Sequence, residues 1–128
     1  MNTLSEKYQK IGEDVRAELF PELEGISIAW LASDEAKHGN GKTTYADCAK
    51  VNKRYDWACG EYDYMITVYE PNIDYFNDKQ IRVLLEHELM HISYDGDHKS
   101  VRPHDTEEFV AIIRKYGIDW SEPGMILD

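Results

Sequence analysis

The sequence is poor in cysteine, in positive charge and in long apolar runs. Only two cysteines, Cys48 and Cys59, occur among the 128 residues. They are too few and too far apart for a disulfide framework or a paired-thiol zinc knuckle. No stretch reaches the length of a transmembrane helix. The N-terminal segment is charged throughout and lacks the apolar core of a signal peptide. We therefore expect the protein in the cytosol of the cell that makes it.

Acidic residues outnumber basic ones by 25 to 14, which gives a formal net charge of −11. Such a balance repels phosphate backbones and anionic lipids, so it disfavours direct binding to nucleic acid and to membranes. Hydrophobic residues nevertheless make up 42% of the chain and aromatic residues 12%, as in folded proteins. The length fits one domain that spans residues 1–128.

The first half of the chain predicts a helix followed by strands. Thr3 and Glu6 match a capping box ahead of apolar residues at helical spacing, which indicates a helix from about residue 4 to residue 20. Pro21 would stop this helix. Three segments have the composition or the alternation of β-strands: residues 26–33, 43–51 and 61–70. We expect the middle one of these at an edge of the sheet.

The second half predicts two more helices. Asn77 and Gln80 form a capping signature, and the apolar stripe that follows continues until Gly96. A last helix would begin near Asp105 and stop at Gly117. The expected fold class is therefore α+β, with an N-terminal helix, a small mixed sheet of about three strands, a motif-bearing helix and a C-terminal helix.

The first of these two helices contains the segment HELMH, in which His87, Glu88 and His91 have the spacing H-E-x-x-H. Positions i and i+4 of a helix project from one face, about 6 Å apart, so the two imidazoles can share one Zn²⁺ ion. Glu88 lies about 100° further round the helix, within reach of a water molecule that the ion activates. The segment thus contains two metal ligands and a general base for hydrolysis.

A simpler interpretation is that the motif occurs by chance, in an ordinary helix with two surface histidines and a solvated glutamate. Shuffling this composition would produce the pattern in roughly two chains in a hundred. The motif also falls within a well-capped and strongly periodic helix. These two points favour a metal site.

A catalytic zinc ion generally needs a third protein ligand. His98 follows the motif, but the metzincin pattern requires Gly and His where this chain has Tyr94 and Asp97, so His98 is out of register. Glu107 or Glu108 would complete a site of two histidines and one glutamate, although a capping role and a solvated position compete with that function.

His104 is the preferred third ligand. Pro103 restricts the chain just before it, and it stands at the start of a helix whose Phe109 and Ile112 would pack against the core. This packing would hold the imidazole against the motif-bearing helix. Asp105 could cap the last helix or orient a ligand histidine.

The runs IRVLLEHELMHISYDGD and VRPHDTEEFVAIIRKYGIDW resemble the putative phage metallopeptidase family, as do ISIAWLAS and DYMITVYEPN upstream. The order of the motifs is also similar to that of SprT-like zincins, although Phe109 follows His104 by five residues where that pattern has four. The resemblance implies a minimal zincin fold in a phage or prophage protein. It also implies that His87, His91 and His104 bind zinc and that Glu88 is catalytic.

These observations predict a zinc-dependent metallopeptidase that acts on a peptide or protein substrate in the cytoplasm of a bacterial host. A peptide would lie along the edge strand, and Tyr94 or Tyr116 would stabilise the oxyanion. Two alternatives remain open: a catalytically silent zinc-binding interaction module, and an acidic mimic of nucleic acid in which the motif is incidental.

Overall fold

A computed structural model describes residues 1–39, 42–51, 62–95, 98–101, 115–116 and 120–121. Its fully described helices are α1 (Glu6–Leu19) and α2 (Asp78–Met90). The strands are β1 (Asn2–Leu4), β2 (Ile28–Ser33), β3 (His38–Gly39), β4 (Lys42–Thr43), β5 (Ala46–Lys50), β6 (Tyr64–Tyr69), β7 (Ile92–Asp95) and β8 (His98–Val101). Short 3₁₀ turns occupy Pro21–Leu23 and Glu70–Asn72. The predicted α+β class is confirmed.

The main sheet is mixed and has the strand order β1-β2-β6-β5. The central pair, β2 and β6, is parallel, whereas β1 and β5 each run antiparallel to their neighbour. The strand predicted within residues 43–51 is confirmed as Ala46–Lys50, and it is the last strand in this order. Two small antiparallel ladders, β3–β4 and β7–β8, complete the described strands.

One face of the sheet forms the core together with both helices. Alternate residues of β2 and β6 are buried there, namely Ile28, Trp30, Tyr64, Ile66 and Val68. From the helices, Tyr8 and Val15 of α1 and the apolar stripe of α2 pack against them. At the rim, Arg82 of α2 forms ion pairs with Asp14 and Glu18 of α1. The helices therefore lie side by side on one face of the sheet.

The start of the first helix differs from the prediction. Thr3 is not the cap, because it lies in β1 and pairs with Ala32 of β2. The helix begins after Ser5, whose hydroxyl accepts a hydrogen bond from the backbone N–H of Tyr8 at 3.2 Å. The main sheet has four strands and fits the expected small mixed sheet of about three, with β1 added because it includes Thr3 and Leu4, which the prediction had placed at the helix start.

The end of α2 also differs from the prediction. The helix was expected to continue until Gly96 but ends at Met90, with His91 as its C-cap. The chain then enters β7, which pairs with β8 so that Ile92 lies opposite Val101. The pair Asp95-Gly96 is itself a hairpin signal, and a β-branched residue and an aromatic residue precede it.

Most of the predicted C-terminal helix lies outside the described residues. So do His104, Glu107, Glu108 and Cys59. Lys115 and Tyr116 are described, and both are helical. Within the described part of the chain, no helix has both the length and the apolar character needed to cross a membrane.

Candidate metal centre

The motif-bearing helix is capped at its start as predicted. The Asn77 side chain accepts from the backbone N–H of Gln80 at 2.9 Å, and the Gln80 side chain accepts from the backbone N–H of Asn77 at the same distance. This capping box satisfies two N–H groups that a helix start leaves without intrahelical partners. The helix that follows is buried from Gln80 to Leu89 except at Arg82, so its polar residues lie in a largely water-free environment.

His87 and His91 lie together at the C-terminal end of α2. Their ring centroids are 5.2 Å apart and the ring planes are tilted by 50°. His91 keeps helical backbone angles, with φ −71° and ψ −21°, although it is the first residue beyond the helix. The i, i+4 relation is therefore preserved across the helix end, and both imidazoles face the same region.

Glu88 completes a group of three side chains. The Oε2 atom of Glu88 lies 3.8 Å from Nε2 of His87, and one potential ligand atom from each of His87, Glu88 and His91 lies within 4.8 Å of the others. Glu88 is 3% exposed and His87 8%. Two imidazole nitrogens suit a borderline cation such as Zn²⁺, and the carboxylate lies beside them, where a general base is needed. The donor set therefore fits the metal that the motif implies.

The segment after His91 is anchored to the sheet. Tyr64 of β6, which is fully buried, donates its hydroxyl hydrogen to the backbone carbonyl oxygen of Ser93 at 3.0 Å. Since Ser93 is only two residues beyond His91, this bond fixes the direction in which the chain leaves α2. The backbone of His91 thus lies between the end of α2 and a strand that is anchored to the sheet.

Strand β5 runs alongside this group of three side chains. Burial raises the pKa of the Cys48 thiol, and the nearby carboxylates of Glu88 and Asp47 raise it further. On the opposite face of β5, Asp47 accepts hydrogen bonds from the Tyr69 hydroxyl at 2.7 Å and from Nζ of Lys37 at 2.8 Å. These contacts hold the edge strand in place beside Glu88.

A second buried carboxylate, that of Glu86, lies one residue before His87. Glu86 is 4% exposed and accepts a hydrogen bond from the Tyr116 hydroxyl at 2.7 Å, with Nζ of Lys115 at 3.4 Å. Burial and this bond raise the pKa of Tyr116. The contact lies in a pocket that α1 also lines, through Val15, Glu18 and Leu19. It gives Tyr116 a partner other than the oxyanion that the sequence suggested.

Gln80 makes a further contact that the sequence did not indicate. Besides capping α2, its Nε2 atom donates to the backbone carbonyl oxygen of Trp120 at 3.1 Å. The Trp120 indole is buried and packs edge-on against Phe76, with ring centroids 6.0 Å apart. A glutamine placed at a capping position gives no hint of a second, long-range partner.

Of the predicted site residues, the described part of the chain brings together His87, Glu88 and His91. His98 begins β8, where it lies opposite Asp95. His104 lies outside the described residues, so its place as third ligand stays a prediction. The ligand and base roles of the other three residues are likewise predictions.

Comparison with known proteins identifies a family for this chain. The sequence model of the family described as Putative phage metallopeptidase matches residues 3–123. No curated protein matches the chain, and no solved structure matches it. The matched region contains α1, the whole main sheet except its first residue, and α2 with the histidine pair. It also contains Tyr116 and Trp120, which contact α2. The chain belongs to the Putative phage metallopeptidase family.

Proposed function

We propose that the protein is a zinc-dependent peptidase in which His87, His91 and His104 hold Zn²⁺ and Glu88 is the general base. The observation that carries this proposal is the convergence of His87, Glu88 and His91 within 4.8 Å, in a chain whose family is that of phage metallopeptidases. The support for His104 comes from the sequence, where it follows Pro103 and opens the last predicted helix.

Each side chain has a separate task in the proposed reaction. When bound, zinc would polarise the scissile carbonyl group and lower the pKa of the attacking water. Glu88 takes a proton from that water and delivers it to the leaving amine. Its buried position keeps bulk water away from the carboxylate, whose Oε2 atom lies 3.8 Å from Nε2 of the proposed ligand His87.

We place the substrate along β5. This strand is the last one in the order of the described sheet and runs beside Glu88. A peptide in extended conformation can hydrogen-bond to the backbone of such a strand, which sets its direction without requiring a particular sequence. The network of Asp47, Tyr69 and Lys37 would keep β5 rigid while the peptide binds.

The remaining parts of the proposal concern the setting of the protein. We propose that residues 1–128 form one domain and that a phage or prophage encodes it. The family description supports the phage origin. The proposed place of action is the cytoplasm of the bacterial host, where cleavage would act on a phage or a host protein.

The variant Glu88→Gln tests the proposal most directly. Glutamine is nearly isosteric, so zinc content should stay near that of the wild type, but it cannot accept the water's proton. Hydrolysis should fall by about 10²–10⁴-fold. Denatured casein is a practical first substrate, with zinc content measured on the same samples. The matched control is Glu18→Gln, which makes the same chemical change at an exposed ion pair on α1 and should leave the rate unchanged.

Two outcomes would count against the proposal. Equal rates for the wild type and Glu88→Gln, on any substrate that the wild type cleaves, would remove Glu88 from the mechanism. Stoichiometric zinc without hydrolysis of any substrate by the wild type would favour a silent zinc-binding module instead.

A further inference from the structure

The C-terminal part of the chain contacts α2 at two separate points. Near the helix start, Gln80 donates to the carbonyl oxygen of Trp120. Near the histidines, Glu86 accepts from the Tyr116 hydroxyl and faces Lys115. Gln80 and Glu86 are both buried, so each contact satisfies a polar group that water does not reach. We call the contacts of Glu86 with Tyr116 and Lys115, and of Gln80 with Trp120, the C-terminal dock.

The contacts of the dock should stabilise the folded protein. A hydrogen bond to a charged group contributes more than one between neutral groups, and a buried carboxylate that loses its donor is left with the full cost of desolvation. The Tyr116 hydroxyl supplies that donor at 2.7 Å. The Trp120 indole adds apolar burial against Phe76. Glu86 in particular requires the C-terminal residues to remain in place.

The position of the dock connects it to the metal centre. Glu86 directly precedes His87 in α2, and the proposed third ligand, His104, lies 12 residues before Tyr116 in the chain. In general, fastening a chain near a metal ligand reduces the conformational entropy that is lost when the ligand binds the ion. Docking and metal binding should therefore favour each other.

We propose that Glu86 and Tyr116 are positioning residues, and that docking of the C-terminal segment through them raises the affinity of the protein for zinc. This inference rests on the proposed function, because it takes the ligand set to include His104. Linkage requires the reverse effect with the same magnitude, so zinc binding must also stabilise the dock.

The variant Tyr116→Phe tests the coupling with one oxygen atom removed. It leaves the charge of Glu86 in place, so a direct electrostatic effect of Glu86 on the ion would not change. We expect the zinc dissociation constant, measured by competition with a chromogenic chelator, to rise about tenfold, within the range typical of coupled sites. Glu86→Gln retains an oxygen that can accept from Tyr116, and it should have the smaller effect of the two.

The matched control is Tyr8→Phe. Tyr8 also donates to a glutamate, Glu70, at 3.0 Å in a partly buried setting, but this pair joins α1 to the turn after β6, away from the histidines. Its removal should lower thermal stability by an amount similar to that of Tyr116→Phe and leave zinc affinity unchanged. The comparison separates a general loss of stability from a specific loss of metal binding.

A second measurement tests the reverse effect, the stabilisation of the dock by zinc. Hydrogen exchange of the peptide that contains Tyr116 and Trp120 should be slower in the zinc-loaded wild type than in the EDTA-treated protein, and Tyr116→Phe should reduce that difference. Unchanged zinc affinity in Tyr116→Phe, or equal loss in Tyr8→Phe, would overturn the coupling while leaving the peptidase proposal intact. A wild-type chain that takes up no zinc would overturn both.

Discussion

The packing of α1 on the sheet can be tested with a single methyl group at Gly12. This glycine is buried in the middle of α1, directly over the Trp30 indole. A Cβ atom added there would lie 2.6 Å from Cζ2 and from Cζ3 of Trp30, and Cη2 would be closer still. The indole is 2% exposed, and its Nε1 atom donates to Glu13 at 2.9 Å. The ring therefore has little room to move away.

Two opposing terms determine the stability of Gly12→Ala. Alanine is favoured over glycine in a helix interior by about 1 kcal/mol. Overpacking of a well-filled core typically costs about 1–3 kcal/mol, and three ring carbons are involved here, so we take the upper end of that range. The net loss should be about 2 kcal/mol. For a chain of this size it corresponds to a fall in Tm of about 6–10 °C.

The matched control is Gly25→Ala, because no atom lies within 4 Å of a Cβ built at Gly25. That variant should remain within about 0.5 kcal/mol of the wild type. Urea and thermal unfolding should be followed by circular dichroism in EDTA, so that metal binding does not contribute to the measured stability. A Gly12→Ala protein as stable as the wild type would refute the described contact between α1 and Trp30.

Two further predictions concern the ligands of the metal. The double variant Cys48→Ser, Cys59→Ser should keep zinc near one ion per chain, because the metal-capable group among the described residues contains no cysteine; loss of zinc from a folded double variant would contradict the three-histidine assignment. His98→Ala should retain both metal and activity, whereas His104→Ala should lose most of the metal. The reverse result would make His98 the ligand and would shift the last predicted helix.

The elements with local chemical signals could be predicted from the sequence. The capping box of Asn77 and Gln80 depends on two side chains three residues apart, so the predicted start of α2 is confirmed. The alternation that ends in Pro71 identified β6, and the Thr, Tyr and Val content of residues 43–51 identified β5. The group of His87, Glu88 and His91 follows from helical spacing alone. In each of these cases the information lies within one turn or one strand.

The elements that depend on distant partners could not be predicted in the same way. Asn2–Leu4 is too short and too polar to show strand character, and it becomes a strand only because β2 pairs with it. In the sequence, Ile92 continues the apolar stripe of α2, yet it belongs to β7. This strand pairs with β8 and is anchored by the hydrogen bond from Tyr64 to Ser93. The long-range partners of Gln80 and Glu86 are separated from them by 40 and 30 residues. No local pattern reports such contacts.

The burial of α2 supplies the strongest physical reason to regard the motif as more than an ordinary helix. Four of its polar residues are buried, namely Gln80, Glu86, His87 and Glu88. Burying polar or ionisable groups costs free energy unless they are bonded or paired, and apolar residues of similar size would make a more stable helix. Gln80 and Glu86 offset that cost through the cap and the C-terminal dock.

His87 and Glu88 form no part of the cap or the dock, and their spacing with His91 is that of a metal site. A cation held between His87 and His91 would attract the Glu88 carboxylate and offset part of its desolvation. The same ion would supply the chemistry that the proposed reaction needs. Ionisable groups that are retained where burial penalises them are characteristic of functional sites. A metal site thus gives His87, Glu88 and His91 a shared role, beside the cap and the dock that Gln80 and Glu86 serve.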